Sequence, residues 1–166
     1  MKKLVILLVL VVAMAAVFAQ SPIARGQTQV NAGVGLSGWG VPFYVGLDYG
    51  LSQDVSIGAE VSYRSYRQKI AQNYWNHSVT GISGNLNYHF NRILDIPQPW
   101  DFYAGLNVGY YVFSTPNDYP GDYKSQLGIA GQVGGRYYFT DKFGVNLEFG
   151  GGNAFSGGKL GISIKL

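Results

Sequence analysis

The chain has no cysteine and little charge: its 12 Lys and Arg and nine Asp and Glu make up 13% of 166 residues, where about a quarter is usual for a soluble domain. Without cysteine there are no disulfides, no thiolate nucleophile, no cysteine-ligated metal and no lipid-modified cysteine. No run of Lys and Arg offers a phosphate-binding face, so nucleic acid is not an expected partner. No segment has convincing helical periodicity, and no repeat of about 20–50 residues is visible. Something other than a charged surface keeps this protein in place.

What the chain does have begins at its first residues. "MKKLVILLVLVVAMAAVFAQ" sets Lys2 and Lys3 before an apolar run from Leu4 to Phe18, closed by the small Ala19. That is the layout of a secretory signal peptide cleaved after Ala19, and the run is shorter than the roughly 20 residues a spanning helix needs. Removing Lys2 and Lys3 leaves 12 − 2 = 10 basic against nine acidic residues, a mature charge of +1 rather than +3. The expected organisation is a signal peptide (1–19), a short polar leader (20–26) and one β-domain (27–166).

Within that domain, period-two alternation returns segment after segment. "VPFYVGLDYGLS" (41–52) puts Val41, Phe43, Val45, Leu47, Tyr49 and Leu51 on one parity and Tyr44, Gly46, Asp48 and Gly50 on the other. "TQVNAGVGL", "VSIGAEVSYR", "TGISGNLNYHF", "DFYAGLNVGYYV" and three later stretches repeat it, which predicts about eight antiparallel strands. The connections "LSQD", "TDKF" and the Pro-bearing "RILDIPQPW" fall on one side. On the other are "SGWG", the tract around "QKIAQNYWNH" (68–77), "STPNDYPGDYK" (114–124) and "GGNAFSGG".

The direction of the apolar parity decides the environment. On a soluble sandwich the other parity would be wet and freely charged. Here it is mostly Gly, Asn, Ser, Gln and Tyr, with six charges expected inside the strands: Asp48, Glu60 and Glu148 against Arg64, Arg136 and Lys165. Sign-balanced charges suit a narrow interior where each needs a partner. The apolar parity ends in aromatics: Tyr49, Phe90, Phe102, Phe139 and Phe143 at one level, Phe43, Tyr63, Tyr110 and Phe149 at the other. Two such levels read as interface girdles. In hydrocarbon every backbone polar group must be paired, so the sheet has to close.

The chain ends in "KLGISIKL", with Leu160, Ile162, Ile164 and Leu166 alternating. This resembles the terminal strand that outer-membrane barrels present to their assembly machinery, although Leu166 stands where that family usually has Phe or Trp. With the signal peptide and the strand count, the chain resembles the small OmpX/OmpA-type family of outer-membrane β-barrel domains. The resemblance implies an all-β, eight-stranded antiparallel up-and-down transmembrane β-barrel in the bacterial outer membrane. Its implied partners are outer-membrane lipid and the barrel assembly machinery, and its implied role is envelope integrity or adhesion through external loops.

Catalytic and ligand patterns are sparse. "NHS" (76–78) places His77 beside Ser78, but strand neighbours point to opposite faces. His89 lies on the inward parity, where an isolated histidine fits a hydrogen-bonded filler better than a base. The patterns of lipid A deacylases, palmitoyltransferases and omptins are not found. Two histidines and no cysteine make no zinc spacing, and Asp118 and Asp122 in "NDYPGD" lack an EF-hand frame, so no metal or cofactor is expected. The expected interior polar network is Asp48, Glu60, Arg64, His89, Arg136, Glu148 and Lys165, with Arg136 and Glu148 as an ion pair. Tyr66, Tyr74, Trp75, Tyr119 and Tyr123 are the external-loop contact candidates for an extracellular partner. Two other classes compete: a lipid-modifying hydrolase using His77 or His89, and a soluble periplasmic barrel with Val45 and Leu106 in its core.

Overall fold

A computed structural model describes residues 23–37, 40–70, 73–116, 118–121, 124–153 and 156–166. The expected signal peptide, most of the leader and Tyr123 lie outside the described residues. Eight strands form a closed barrel in chain order: β1 (Thr28–Ser37), β2 (Phe43–Gly50), β3 (Val55–Ile70), β4 (Asn73–His89), β5 (Trp100–Ser114), β6 (Gln126–Tyr138), β7 (Phe143–Gly152) and β8 (Ser156–Lys165). Each strand is antiparallel to the next. Val30 of β1 faces Leu47 of β2 on one side and Ile164 of β8 on the other, which closes the sheet and leaves no edge.

Burial follows the sequence parity, turned inside out relative to a soluble protein. Along β2 it alternates without exception: Phe43, Val45, Leu47 and Tyr49 are exposed and Tyr44, Gly46, Asp48 and Gly50 buried. The buried interior is rich in Gln29, Asn87, His89, Asp101, Arg136 and Ser163, whereas Leu, Ile, Val and Phe cover the outside. A soluble fold reverses this distribution. The soluble alternative is overturned, because Val45 and Leu106, its proposed core, are 58% and 61% exposed.

The two ends differ. At the turn end, Ser52 Oγ accepts from the Val55 amide at 3.1 Å and Thr140 Oγ1 from the Phe143 amide at 3.0 Å, tying two short loops. Arg92 forks onto Asp54, and this hydrogen-bonded carboxylate raises the guanidinium pKa above its ordinary value. The leader folds back here: Gly26, at φ +83°, donates to the Gly50 carbonyl at 2.8 Å, and Ile23 is buried beside Gly50. Around this end runs an outward belt in which Trp100 stacks on Phe102 and meets Tyr137 edge-on. Tyr137 in turn meets Phe139, and Phe139 lies against Phe143.

At the opposite, hairpin end, the expectation of a loop over 68–77 is corrected. β3 and β4 stay paired from Tyr63↔Thr80 out to Ile70↔Asn73, so Tyr66, Tyr74 and Trp75 stand on strands rather than in a loop. Beyond Tyr63 the outward positions are polar, so the alternation continues without its apolar half and no longer looks like a strand in sequence. Antiparallel pairing needs no apolar side chain where water is the solvent.

Candidate functional site

Side chains from all eight strands meet in the bore as two stacked polar layers. In the layer nearer the turn end, Arg136 of β6 donates from Nη2 to Asp48 Oδ2 of β2 at 2.6 Å and from Nη1 to Asp101 Oδ2 of β5 at 3.1 Å. Asp101 Oδ1 accepts from His89 Nδ1 of β4 at 2.7 Å, and His89 Nε2 lies 2.9 Å from Ser56 Oγ of β3. On the other side, Asn31 of β1 donates to Asp48 at 2.9 Å and accepts from Ser163 of β8 at 2.7 Å. Asn146 of β7 donates to Ser163 at 3.0 Å and accepts from the Tyr44 hydroxyl at 2.7 Å. Tyr138 donates to Gln29, which closes the layer.

The upper layer centres on Lys159 of β8. Its ammonium lies 2.8 Å from Glu60 Oε2 and 3.1 Å from Glu148 Oε1. Tyr103 links the layers, because its hydroxyl donates to Glu148 at 2.9 Å while the Arg136 guanidinium lies 4.3 Å over its ring. Above Lys159 the bore opens into a vestibule lined by Glu60, Ser62, Arg64, Asn107, Tyr111 and Gln132. Arg64 donates to Ser37 at 3.3 Å beside it. Lys165 sits at the turn-end mouth with its ammonium 3.9 Å from the centre of the Tyr138 ring.

The expected Arg136–Glu148 pair is therefore corrected. The register behind it holds, with Arg136 opposite Asn146 and Glu148 opposite Gly134. The partners do not, because a side chain in a narrow barrel reaches across the bore as well as along one hairpin. Two charges were also missed, Asp101 and Lys159, which stand at the ends of their inward parities. Adding them gives Asp48, Glu60, Asp101 and Glu148 against Arg64, Arg136, Lys159 and Lys165, still balanced four to four.

Ser56, His89 and Asp101 have the spacing of a nucleophile–base–orienter relay. His89 is thus not isolated, and its partners come from neighbouring strands: Ser56 stands beside Asn87 and His89 beside Tyr103. Asp101 accepts only, so it fixes a proton on Nδ1 and turns Nε2 to the Ser56 hydroxyl. The three side chains are 0%, 1% and 0% exposed respectively, with no room for a substrate at the Ser56 oxygen. His77 and Ser78 do not form such a pair. His77 faces inward, stacked on Tyr66 at 5.2 Å.

The hairpin end carries a second cluster. Tyr119, from the segment after β5, meets His77 edge-on at 4.6 Å and Trp75 at 5.7 Å, and its hydroxyl donates to Gln68 Oε1 at 3.2 Å. Tyr119, Trp75 and Tyr66 therefore pack together over the inner face of the hairpin. Tyr74, on the outer face, is 62% exposed. Leu160, Ile162 and Ile164 point outward on the last strand, and Leu166, just past its end, is exposed as well. Among the described residues, no three His, Cys, Asp or Glu side chains converge on a metal-sized point.

Comparison with known proteins agrees with this architecture. The model of the outer membrane protein beta-barrel domain family matches residues 5–163. No curated protein matches the chain by sequence. Among solved structures, the N-terminal β-barrel domain of Pseudomonas aeruginosa OprF superposes with a TM-score of 0.62 at 17% identity, covering 86% of this chain and 98% of that one. OprG of the same organism gives 0.64 at 10% identity, covering 87% and 97%. The attachment invasion locus protein Ail of Yersinia pestis, solved with the heparin analogue sucrose octasulfate, gives 0.55 at 12%, covering 86% and 99%. At these identities the likeness is one of fold.

Proposed function

The chain belongs to the outer membrane protein beta-barrel domain family and resides in the bacterial outer membrane, and from that premise we propose that it is a non-enzymatic wall protein that presents its hairpin end to partners outside the cell. The observation that carries this reading is the division of labour along the barrel axis. The bore is filled by side chains bonded to one another from all eight strands, an arrangement that stabilises and leaves no wide aqueous passage. The β3–β4 hairpin, by contrast, runs beyond the girdle: on its inner face Trp75 packs against Tyr119 of the segment after β5, and on its outer face Tyr74 stands exposed. In this reading the end with the short turns faces the periplasm, as is usual for such barrels.

The Ail structure with a heparin analogue supports surface contact as a role that this architecture can host. The hydrolase alternative has one feature in its favour, the Ser56–His89–Asp101 spacing, and full burial of Ser56 speaks against it. Two arms test the proposal. Cells expressing a barrel shortened across 67–76 should keep folded protein in the outer membrane but lose attachment to surfaces that wild-type cells bind. Lipid A and phospholipid profiles should be the same with wild type, Ser56→Ala or no protein. A changed profile that depends on Ser56 would replace this reading with an enzymatic one.

A further inference from the structure

Two charged side chains at the turn end stand outside the interior networks. Arg136 and Lys159 each hold two carboxylates, whereas Lys165 of β8 forms no ion pair among the described residues. Asp101 is already shared by His89 and Arg136. The Lys165 ammonium rests 3.9 Å from the centre of the Tyr138 ring, and a ring face does not satisfy three N–H donors. Asp141, in the turn between β6 and β7, is exposed and likewise forms no ion pair among the described residues. Both residues line one cleft of about 280 Å³, together with Gln98 and Pro99 of the β4–β5 connection and Tyr138 and Thr140. The cleft therefore presents a cation and a carboxylate that do not reach each other.

We propose that this cleft binds an α-amino carboxylate, whose carboxylate lies on Lys165 and whose ammonium lies on Asp141. Charge supports it first. A simple anion is drawn to Lys165 and repelled by Asp141, and a simple cation meets the reverse; a zwitterion meets an opposite charge at both ends. Size supports it next, since the cleft falls just below the roughly 300–1,000 Å³ of pockets for drug-sized ligands and suits a smaller molecule. The walls are also held in advance. The Tyr138 amide donates to the Pro99 carbonyl at 3.0 Å and the Lys165 amide to the Lys142 carbonyl at 2.8 Å, which ties the connection and the last strand to the β6–β7 turn. Binding then pays little for ordering them. Thr140 Oγ1 accepts from the amides of Lys142 and Phe143 at 3.3 and 3.0 Å, so its hydroxyl proton remains to donate to the ligand carboxylate. Free amino acids carry this chemistry, and so do cell-wall peptides with a free α-amino carboxylate. The inference goes beyond the surface-contact role and does not depend on it.

The test places the refolded, isotope-labelled barrel in nanodiscs, which leave both ends open to solvent, and follows the backbone amide signals of Gln98, Asp141 and Lys165 by NMR. Titration with alanine should shift these signals saturably, while acetate and ethylamine at matched concentration should bind more weakly. Lys165→Gln and Asp141→Asn should each weaken alanine by about tenfold, the scale of one charged hydrogen bond. The two variants should part on the simple ions: Asp141→Asn gains acetate binding and Lys165→Gln gains ethylamine binding, because each removes a repulsion. A merely structural role for either residue would not produce that crossing. Heat-shifted gel mobility, unchanged across the set, shows that the barrel is intact. A tripeptide of L-alanine, γ-D-glutamate and meso-diaminopimelate separates the sources: tighter binding than alanine assigns the site to the cell wall, weaker binding to free amino acids, and either supports it. No saturable shift at the cleft with either probe would overturn the proposal. Acetate binding wild type as tightly as alanine would overturn it too, in favour of a plain anion site, as would alanine affinity unchanged in both variants.

Discussion

Arg136 and Asp101 face each other directly across the β5–β6 pairing, and the guanidinium donates to the carboxylate at 3.1 Å while its other nitrogen reaches Asp48 on the far wall. All three side chains are almost wholly buried. Removing the shared cation strands two carboxylates, so Arg136→Met should cost about 3–5 kcal/mol. Asp101→Asn should cost less, because Arg136 keeps Asp48. The double variant should cost less than the sum, with a coupling of about 0.5–3 kcal/mol. Urea titration of the folded barrel, read by the gel shift between folded and unfolded forms, measures all three. The Arg136→Met and Glu148→Ala cycle should show weaker coupling, since those residues are joined only through Tyr103. Strict additivity for Arg136 and Asp101 would mean that they do not meet.

The upper layer makes a separate prediction. Lys159 separates Glu60 from Glu148, so Lys159→Met leaves two carboxylates facing each other over a neutral chain. That loss should exceed the loss from Glu60→Gln, which leaves Lys159 with Glu148. The triple neutral variant Glu60→Gln/Lys159→Met/Glu148→Gln should recover much of the difference, because no lone charge remains. Water in the adjoining vestibule reduces every one of these costs relative to the Arg136 layer. A thermal series on the same gel assay ranks them, and a Lys159→Met barrel as stable as wild type would refute the fork.

The strands and the facing of each residue were legible because period two is a local signal and hydrocarbon makes it one-sided. The same logic explains the error over 68–77. Past the girdle water surrounds both faces, and Arg67, Lys69, Tyr74 and Asn76 pair as a strand with no apolar face to betray it. The side chains that would line the bore were largely visible from parity. Their partners were not, because Arg136 to Asp48 spans 88 positions in the chain and Lys159 to Glu60 spans 99. Such contacts depend on closure and stagger, which no single segment encodes. Asp101 and Lys159 escaped because each stands at the end of an alternating run.

Conduction should be small. With Tyr44, Tyr103, Tyr138 and Arg136 all buried across the bore, wild type in planar bilayers should show no large, stable porin-like currents. Arg136→Ala removes the guanidinium that spans from β6 to β2 and should raise the unit conductance measurably. Wide, permanent channels from wild type would contradict the filled bore.

Topology is open to a labelling test on whole cells. Single cysteines at Asp118 beside the hairpin end and at Gln53 in a tight turn are both at exposed positions, and the chain has no native cysteine to interfere. A membrane-impermeant maleimide should label Asp118→Cys in intact cells and Gln53→Cys only after lysis. The reverse result would invert the barrel and move the hairpin into the periplasm.

Gly134 offers the sharpest test of the inward packing, because it joins the two polar layers without taking part in either. It stands on β6 opposite Glu148, and a Cβ there would collide with the ring and hydroxyl of Tyr103. Tyr103 needs that space to lie under the Arg136 guanidinium and still reach Glu148. Gly134→Val must therefore move Tyr103, breaking the hydrogen bond to Glu148 and the stacking on Arg136 together, and overpacking of this kind costs about 1–3 kcal/mol. Gly131→Val serves as the control: it lies on the same strand at an outward position where a Cβ meets nothing, and a β-branched residue suits an exposed strand site facing lipid. Tyr103→Phe isolates the hydroxyl, leaving Glu148 with Lys159, and should cost less than Gly134→Val. Urea titrations of the three variants should rank Gly134→Val as the most destabilised, Tyr103→Phe as intermediate and Gly131→Val as near wild type. If Gly134→Val is as stable as Gly131→Val, Tyr103 does not occupy the bore beside β6, and the link between the two layers is lost.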